Sequence, residues 1–380
     1  MRIGMSAHRF NHEGGIERAS YELATALGEL GSDVTLIAES VDPPVADPLR
    51  WQPVRMPKIP GFAIPAVYPR RASKQVAGAR YDILHNQGAC ALMTQDVITA
   101  HSCHRAWWEM KLHGGEATRA LLNPLHHVVL ATERRNYRPD AYRRVIAVSD
   151  GVGRELTHHY QVPPERIRVI PNAVDIAKFQ MPDAAESRSR VRAELGIRPD
   201  AHVLLFVGKE FRRKGLGPVV AALPKLPESV VLLVVGGDDQ TPFRAQAHAA
   251  GVGDRVFFAG HSPRVQDYFA AGDAFVFPTL YEAFALVSLE AAAAGLPLLT
   301  TKVNGTEDFV VDGVNGFFIE REAGSIVTAV DRLIGDPSLT RSMGEAARAG
   351  VAAYTWDRIA ARTRDVYAEV AEEKRALTRA

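Results

Sequence analysis

Short apolar runs rich in β-branched residues alternate with longer amphipathic segments along most of this chain, and this alternation limits the fold more than any other feature. Strands that alternate with helices form parallel sheets whose two faces are both covered by helices. An amphipathic segment over 15–30, ended by Gly31, indicates the first such helix. In the first half of the chain the apolar runs predict strands at 2–7, 33–38, 81–85, 97–100 and 144–148.

The pattern starts again after residue 200, and 380 residues exceed what one ordinary core holds, so we expect two domains of about 150–200 residues. The predicted fold class is α/β, with two Rossmann-like parallel-sheet domains at 1–172 and 173–355 and a C-terminal helix at 356–378 that packs back on the first. If their sheet edges face each other across a cleft, one domain can hold a nucleotide and the other an acceptor. Strands of the second domain are predicted at 203–207, 230–235, 255–259, 274–278 and 297–300.

Composition excludes several classes of protein. The chain has 45 Lys and Arg against 44 Asp and Glu, and a net charge of +1 argues against a nucleic-acid-binding protein. Its two cysteines, Cys90 and Cys103, are too few for a disulfide scaffold or a multi-cysteine metal site. The N-terminus lacks a leader-like apolar segment, and the sequence has no uninterrupted run of 18 apolar residues. We therefore expect a cytoplasmic location.

Two glutamates follow the predicted strand at 274–278, one in a loop and one in the helix after it. Free amides at the start of that helix, around Leu286 and Val287, attract anions. The loop carboxylate, Glu282, can accept sugar hydroxyls, and the helical carboxylate, Glu290, can accept the two hydroxyls of a ribose. Either glutamate alone is better explained as an ordinary residue near a helix N-terminus. Together, at this spacing after a strand, they indicate a nucleotide-sugar site.

A second segment, beginning at Gly208 after the predicted strand 203–207, concentrates positive charge. A diphosphate needs cations at the carboxyl edge of the sheet, although a solvated basic loop is the simpler alternative. A third segment carries Gly14 and Gly15 between the first strand and the first helix, where a ligand can approach the backbone. The four cations of the second segment are Lys209, Arg212, Arg213 and Lys214.

These segments together resemble the family-4 retaining glycosyltransferases, which have the GT-B fold. The resemblance covers nearly the whole chain and is strongest over 203–320. Within the family, the Arg213-Lys214 pair and the chain around Glu133 are most similar to the lipopolysaccharide-core glucosyltransferases. The matching motifs are Glu282 and Glu290, the loop from Gly208 to Gly215 with Lys214 as its lysine, Gly14-Gly15, Ile170-Pro171-Asn172-Ala173-Val174-Asp175, and a strand that ends at His101.

The resemblance implies transfer of a sugar, with retention, from a nucleotide diphosphate sugar to an acceptor hydroxyl. Uridine is the expected base, the acceptor a glycolipid, lipopolysaccharide or polysaccharide of the cell envelope, and neither a cofactor nor a metal is expected. Arg213, Lys214 and the amides of Leu286 and Val287 would then stabilise the leaving diphosphate. Glu282 would orient the donor sugar and Glu290 would hold the ribose. Gly260 and His261 would lie beside the base, and His101 would bond a sugar hydroxyl.

Three positions depart from the family pattern. Lys209 stands where many members have Arg, and Ala283 and Ala285 replace glycines, so a methyl group at Ala285 could crowd the donor. Two other functions stay open at this point. A sugar-nucleotide epimerase of the same architecture would need no acceptor, and a non-catalytic scaffold would keep the fold without the reaction.

The first predicted domain also carries a basic segment at 50–80 without an acidic residue. Trp51, Phe62 and Tyr68 lie among its cations, and a second segment pairs Trp107 and Trp108 with further cations. These features predict contact with an anionic membrane surface or an anionic acceptor, because each cation near such a surface contributes about 1 kcal/mol. A solvated basic face with tryptophans in the core explains them equally well. The cations are Arg50, Arg55, Lys58, Arg70, Arg71, Lys74 and Arg80.

Overall fold

The structure is a computed structural model that describes all residues except 13, 43–46, 89–91, 114–116 and 380. Cys90, named above, lies outside the described residues. The chain forms two compact units, Met1–Ala173 with Trp356–Ala380 and Val174–Thr355. Each unit is built around its own parallel sheet, as the alternating pattern predicted.

The first unit contains a seven-stranded parallel sheet with the strand order β5-β3-β1-β6-β7-β8-β9. A separate pair joins the two-residue strands β2 and β4. The core strands are almost wholly buried, which explains why they read as apolar runs. The strands are β1 Arg2–Ser6, β2 Arg9–Phe10, β3 Asp33–Ala38, β4 Ser40–Val41, β5 Arg50–Pro53, β6 Ile83–Gln87, β7 Val97–Ala100, β8 Arg144–Ala147 and β9 Ile167–Val169.

Helices cover this sheet, and the C-terminal helix is one of them. Its buried side chains, which include Ile359, Tyr367 and Val370, belong to the same apolar cluster as Ile3 and Leu27. The C-terminal helix therefore forms part of the apolar core of the first unit. The helices of the first unit are α1 Gly15–Glu29, α2 Ile64–Val76, α3 His104–His113, α4 Ala117–Leu122, α5 Pro124–Asn136, α6 Asp150–Tyr160 and, at the chain end, α17 Trp356–Arg379.

The second unit contains a six-stranded parallel sheet with the order β12-β11-β10-β13-β14-β15. Its strands are β10 His202–Val207, β11 Val230–Val235, β12 Val256–Gly260, β13 Ala274–Phe277, β14 Leu298–Thr300 and β15 Gly316–Phe318. Its helices are α7 Ile176–Phe179, α8 Ala184–Leu195, α9 Phe211–Lys214, α10 Leu216–Ala222, α11 Thr241–Ala249, α12 Val265–Ala271, α13 Leu286–Ala294, α14 Thr306–Phe309, α15 Ala323–Gly335 and α16 Pro337–Gly350.

Candidate functional site

The carboxyl edge of the second sheet collects most of the predicted site residues. Glu282 lies in the loop after β13, and Lys209, Arg213 and Lys214 follow β10. Because β10 and β13 are neighbours in the sheet, the two loops meet. This edge is where open parallel sheets bind ligands.

Three charged side chains converge at that edge. The Lys214 ammonium lies 2.9 Å from Oε1 of Glu282, and Nη1 of Arg213 lies 3.0 Å from the same oxygen. The hydroxyl of Thr279 donates to it at 3.0 Å. Among the described residues no group donates to the second carboxylate oxygen, Oε2 of Glu282. Oε1 of Glu282 therefore holds the two cations in place, and Oε2 can accept a hydrogen bond from a ligand.

The charges in this cluster shift the pKa values of Glu282 and Arg213. Burial raises the pKa of Glu282, but the charges of Lys214 and Arg213 outweigh it, and the pKa falls below its ordinary value. Burial likewise lowers the pKa of Arg213, whereas Glu282 and Glu210 raise it, and the net shift is upward. The Glu282 carboxylate therefore stays ionised in a largely buried site, between Lys214 and Arg213, and Glu210 pairs with Arg213 from the other side. The two basic side chains offer donors to an anionic ligand.

Close backbone approach lets Lys214 reach this position. A Cβ at Gly208 would lie 2.6 Å from Cδ of Lys214, so glycine leaves room for the lysine side chain to pass over the loop. Gly215 has φ +86°, and a Cβ there would meet the carbonyl oxygen of Pro278 at 2.1 Å. The Lys214 ammonium then lies 4.6 Å from the centre of the Phe277 ring, on the strand that leads to Glu282.

Arg213 and Lys209 differ in their surroundings. The Arg213 guanidinium bonds Glu210 and Glu282 and also donates to the carbonyl of Tyr281. Its donors are thus directed at protein groups, which fix its position beside Lys214. Lys209 is exposed in the loop between β10 and α9 and takes no part in the cluster. The sequence prediction grouped these two cations, and the structure separates them.

The helix α13 begins in an unusual conformation. Ala285 precedes it with φ 57° and ψ 55°, the left-handed region in which a residue with a Cβ costs about 1–2 kcal/mol. The amides of Leu286 and Val287 follow in the first turn, before the intrahelical hydrogen bonds begin. Glu290, one turn further, is only 6% exposed. The two glutamates thus flank a helix N-terminus, as the spacing predicted.

The remaining predicted residues of this unit lie on the same sheet edge. Gly260 ends β12 with φ +72°, and His261 follows it as an exposed residue. Asp238, which follows β11, accepts a hydrogen bond from the Phe211 amide at 2.7 Å and so caps α9 from the neighbouring loop. The ends of β10, β11, β12 and β13 therefore all contribute to one edge.

The first unit carries the other predicted residues at the carboxyl edge of its own sheet. Gly14 precedes α1, and Gly15 is its first residue. His101 directly follows β7, is 8% exposed, and places Nε2 2.9 Å from Oε1 of Gln87. Burial lowers the pKa of His101 to about 4, so this imidazole is neutral near pH 7.

The basic segment of this unit is partly a surface and partly core. Arg55, Arg70, Arg71 and Lys74 line an open groove of about 760 Å³ between the end of β5 and α2. Trp51 and Phe62 are 45% and 43% exposed. The expectation that Tyr68 joins this surface is wrong, because its ring is fully buried and its hydroxyl lies 2.7 Å from the Ala7 carbonyl.

The second aromatic pair, Trp107 and Trp108, lies on α3 and is half-buried. Lys111 lies 4.0 Å from the ring centre of Trp107, and Arg105 lies 5.2 Å from that of Trp108. These cation–π contacts show that the indoles and the cations of this segment pair with each other.

No group of three or more His, Cys, Asp or Glu side chains in the described part of the chain is arranged to hold a metal ion. Of the helices formed by the described residues, none is both long enough and apolar enough to cross a bilayer.

Two family models match this chain. The family model described as Glycosyltransferase Family 4 matches residues 13–178, and the model described as Glycosyl transferases group 1 matches residues 187–350. Together they span most of the chain, one for each unit. The chain belongs to the family-4 glycosyltransferases. It is therefore a glycosyltransferase with two Rossmann-like domains, as the sequence motifs predicted.

Individual relatives agree with this assignment. A D-inositol 3-phosphate glycosyltransferase from Xylanimonas cellulosilytica is 28% identical over 95% of this chain and 93% of the relative. The lipopolysaccharide glucosyltransferase WaaG from Escherichia coli is 34% identical, over 50% of this chain and 52% of WaaG. The crystal structure of WaaG superposes with a TM-score of 0.79 over 97% of this chain and 99% of WaaG, at 24% identity. That of Anabaena HepE in complex with UDP-glucose has a TM-score of 0.71 over 99% and 100%, at 19% identity.

Sequence reasoning missed several residues that contact the candidate site residues. Thr279 lies in the same loop as Glu282 and could have been found there. Gln87 ends β6, so the rule that ligands bind at strand ends could have identified it. Arg321 donates to the carbonyls of Arg213, Arg212 and Pro278 and fixes the end of α9 against the end of β13. Nothing in the sequence near Arg321 indicates a partner more than 100 residues away.

Proposed function

We propose that this glycosyltransferase moves a sugar, with retention at the anomeric carbon, from a nucleotide diphosphate sugar to a hydroxyl group of a cell-envelope glycolipid, lipopolysaccharide or polysaccharide. The observation that carries the proposal is the cluster of Lys214, Arg213 and Glu282 at the carboxyl edge of the second sheet. A leaving diphosphate needs fixed positive charge at the place where its own charge develops. This cluster supplies that charge on ordered side chains.

In the proposed reaction, the bond between the anomeric carbon and the diphosphate oxygen breaks, and a bond to the acceptor oxygen forms on the same face of the sugar. The leaving phosphate oxygen takes the proton of the acceptor hydroxyl, so no covalent nucleophile is assigned. Lys214, Arg213 and the amides of Leu286 and Val287 stabilise the diphosphate. Because these groups are in place before the donor binds, little reorganisation is needed when the bond breaks.

The other residues of the site orient the donor. The second oxygen of Glu282 accepts hydroxyls of the donor sugar, and Glu290 accepts those of the ribose. Gly260 and His261 lie beside the base, while Lys209 adds positive charge at the mouth of the loop. On the first unit, His101 bonds a sugar hydroxyl, and Gly14 and Gly15 let a substrate approach the backbone. No metal is assigned, because the fixed cations can do the work of one.

The donor and acceptor classes rest on relatives and on charge. HepE is described in complex with UDP-glucose, which supports a uridine donor here. WaaG is described as a glycosyltransferase involved in lipopolysaccharide biosynthesis, which supports an envelope acceptor. The groove lined by Arg55, Arg70, Arg71 and Lys74 supports contact with an anionic membrane surface or with a charged acceptor. Enzyme attached in this way would lie at the inner face of the cell membrane.

A thermal-shift screen tests the donor assignment. We expect UDP-glucose or another UDP-sugar to raise the melting temperature of the purified chain, and EDTA to leave that rise unchanged. GDP- and ADP-sugars serve as matched ligands that differ in the base. Loss of the rise in EDTA would contradict metal independence, and no rise with any donor at millimolar concentration would favour a scaffold without a donor site.

Product analysis then separates transfer from isomerisation. A stabilising donor is incubated with the chain in the absence of any acceptor, and the products are separated by chromatography. Slow release of free UDP and sugar is expected of a glycosyltransferase. Appearance of an isomeric nucleotide sugar would instead identify an epimerase.

A further inference from the structure

His101 is held by a buried hydrogen bond to a neighbouring strand of the first sheet. The strands β6 and β7 pair in parallel, with Gln87 opposite Thr99. Gln87 is the last residue of β6 and is 5% exposed. Its side-chain oxygen lies 2.9 Å from Nε2 of His101. A buried carboxamide and a buried imidazole thus meet at the edge of the sheet.

This contact determines which ring nitrogen of His101 carries the proton. An amide oxygen only accepts hydrogen bonds, so Nε2 of His101 must be the donor. The imidazole is neutral, since burial lowers its pKa to about 4, and Nδ1 therefore has a lone pair. Among the described residues, His101 makes no second side-chain hydrogen bond. Its Nδ1 is thus left to accept a hydrogen bond from a ligand.

The orientation of the Gln87 amide is set by the contact between its NH₂ group and His85. Its nitrogen lies at nearly equal distances, 3.3 and 3.4 Å, from the two ring nitrogens of His85, which puts the NH₂ group over the face of that imidazole, where an N–H can bond the π system. Both nitrogens of His85 already pair with hydroxyls, Nδ1 with Tyr367 at 2.6 Å and Nε2 with Thr99 at 2.8 Å. The amide oxygen is then directed to His101. Ser20 of α1 lies 3.4 Å from that oxygen, but its hydroxyl donates to the Ile16 carbonyl at 2.7 Å.

The C-terminal helix reaches this network through one residue. Tyr367 of α17 is fully buried and lies 282 positions from His85 in the sequence. Its ring meets the His85 ring edge-on, with a centroid distance of 5.5 Å. Because the Tyr367 hydroxyl and Thr99 hold both nitrogens of His85, that ring cannot turn without breaking two buried hydrogen bonds. The ring of His85 therefore forms a fixed wall behind Gln87.

We propose that Gln87 is a positioning residue of this enzyme: it holds His101 with the proton on Nε2 and Nδ1 free to accept a substrate hydroxyl, and Tyr367 of the C-terminal helix holds Gln87 in place through His85. The contribution to turnover rests on the function proposed for His101. The protonation pattern itself does not, because it follows from contacts within the first unit alone.

Nitrogen NMR of the full chain, labelled with ¹⁵N-histidine, tests the protonation pattern without any substrate. His101→Asn identifies the resonances of His101 by their loss. We expect wild-type His101 to carry its proton on Nε2 and to stay neutral down to pH 5. In Gln87→Leu, which removes the acceptor, the two neutral forms should mix, provided the melting curve shows a folded chain. A proton on Nδ1 in the wild type, or unchanged His101 resonances in folded Gln87→Leu, would overturn the proposal.

A charged variant of Gln87 gives a second readout, which would not change if Gln87 had only a structural role. In Gln87→Glu the acceptor oxygen remains, but its negative charge favours protonated His101, and it also faces His85. The NMR titration should then show a His101 pKa at least one unit higher than in the wild type. Turnover of UDP-glucose should lose activity on the acid side between pH 5 and 7, where the wild type does not. A wild-type pH profile in this variant would contradict the proposal.

The C-terminal helix is tested by Tyr367→Phe, with Tyr142→Phe as the matched control. Tyr142 is also buried in the first unit, but its hydroxyl lies outside the network around His101. We expect Tyr367→Phe to lower kcat about ten-fold, with a smaller change in KM for UDP-glucose, while the control keeps wild-type values. Equal effects of the two variants on kcat and on the His101 resonances would remove α17 from the proposal.

Discussion

At the scale of single residues, the site depends on one carboxylate oxygen shared by two cations. Oε1 of Glu282 accepts from both Lys214 and Arg213, so neither cation is the sole partner of the buried charge. Removing one cation therefore leaves the other to neutralise Glu282. This redundancy allows the chemical role of Lys214 to be separated from its contribution to folding.

Replacing Lys214 with alanine should lower kcat for UDP-sugar turnover about 10²–10³-fold, the loss typical of a single donor aimed at developing negative charge. The melting temperature should change little, because Arg213 still pairs with Glu282. The matched control is Lys225→Ala, which removes an exposed cation elsewhere in the same unit. Near-normal turnover by the Lys214 variant would contradict its assignment to the diphosphate.

The left-handed conformation of Ala285 makes a prediction about stability. At φ 57° a Cβ costs about 1–2 kcal/mol, which glycine avoids, whereas Ala283 has no such conformation. Both substitutions to glycine raise the entropy of the unfolded chain equally. Ala285→Gly should thus be more stable than Ala283→Gly by about 1–2 kcal/mol in urea titration. Equal stabilities of the two variants would show that the α13 start is unstrained.

At the scale of elements, Glu133 joins three helices of the first unit. It lies on α5, accepts the His104 amide at the start of α3 at 2.9 Å, and accepts the hydroxyl of Tyr160 on α6 at 2.6 Å. Burial raises its pKa to about 7, against which the hydrogen bonds from Tyr160 and His104 act more weakly. A carboxyl group of this kind links the packing of the helices to pH.

The sign of that linkage follows from the two pKa values. Between the ordinary value of 4.5 and about 7, the folded chain keeps a proton on Glu133 that the unfolded chain has lost. Stability should therefore fall by about 3 kcal/mol as pH rises through this range. Glu133→Gln keeps an oxygen for the His104 amide and should remove this fall in urea titrations at pH 5 and pH 8. Glu109→Gln, at a half-exposed carboxylate on α3, should leave it unchanged.

Strands with continuous apolar sequences were predictable, and strands that contain polar residues were displaced or missed. The strands 33–38, 97–100 and 230–235 match residue for residue, because buried parallel strands are continuous apolar runs. The prediction of 81–85 is displaced, since β6 ends in the polar residues His85, Asn86 and Gln87. Edge strand β5 was missed because its sequence, Arg50–Pro53, is polar.

Some residues of the candidate site could likewise be predicted from the sequence, and others could not. Glu282, Lys214 and Arg213 could be predicted because two short local motifs carry them, and sheet topology then brings the motifs together. Arg321 and Tyr367 could not, since Arg321 meets Arg212 and Arg213, and Tyr367 meets His85, across more than 100 residues of sequence. The interpretation of Tyr68 failed because an amphipathic helix, α2, turns that ring into the core while its cations stay outside.

At the scale of the whole molecule, a net charge of +1 conceals an uneven distribution. Residues 49–80 hold seven cations and no acidic residue. One of the seven, Arg50, lies 3.6 Å from Asp33, but no carboxylate of the described residues lies within ion-pair distance of the four cations that line the groove. Unpaired charge of this kind is worth little to folding, so its concentration in one place is better explained by an anionic partner.

Replacing Arg70 and Arg71 with glutamine should weaken binding to vesicles that contain anionic lipid. At about 1 kcal/mol for each cation, the loss of two lowers affinity about 30-fold, and salt should lower wild-type affinity towards the same level. Turnover of a soluble UDP-sugar should persist, because Lys214 and Glu282 lie in the other unit. The control is the double variant Lys225→Gln and Arg341→Gln, which changes net charge equally at exposed sites of the second unit. If both double variants bind vesicles alike in a sedimentation assay, attachment depends on net charge and the groove has no specific part in it.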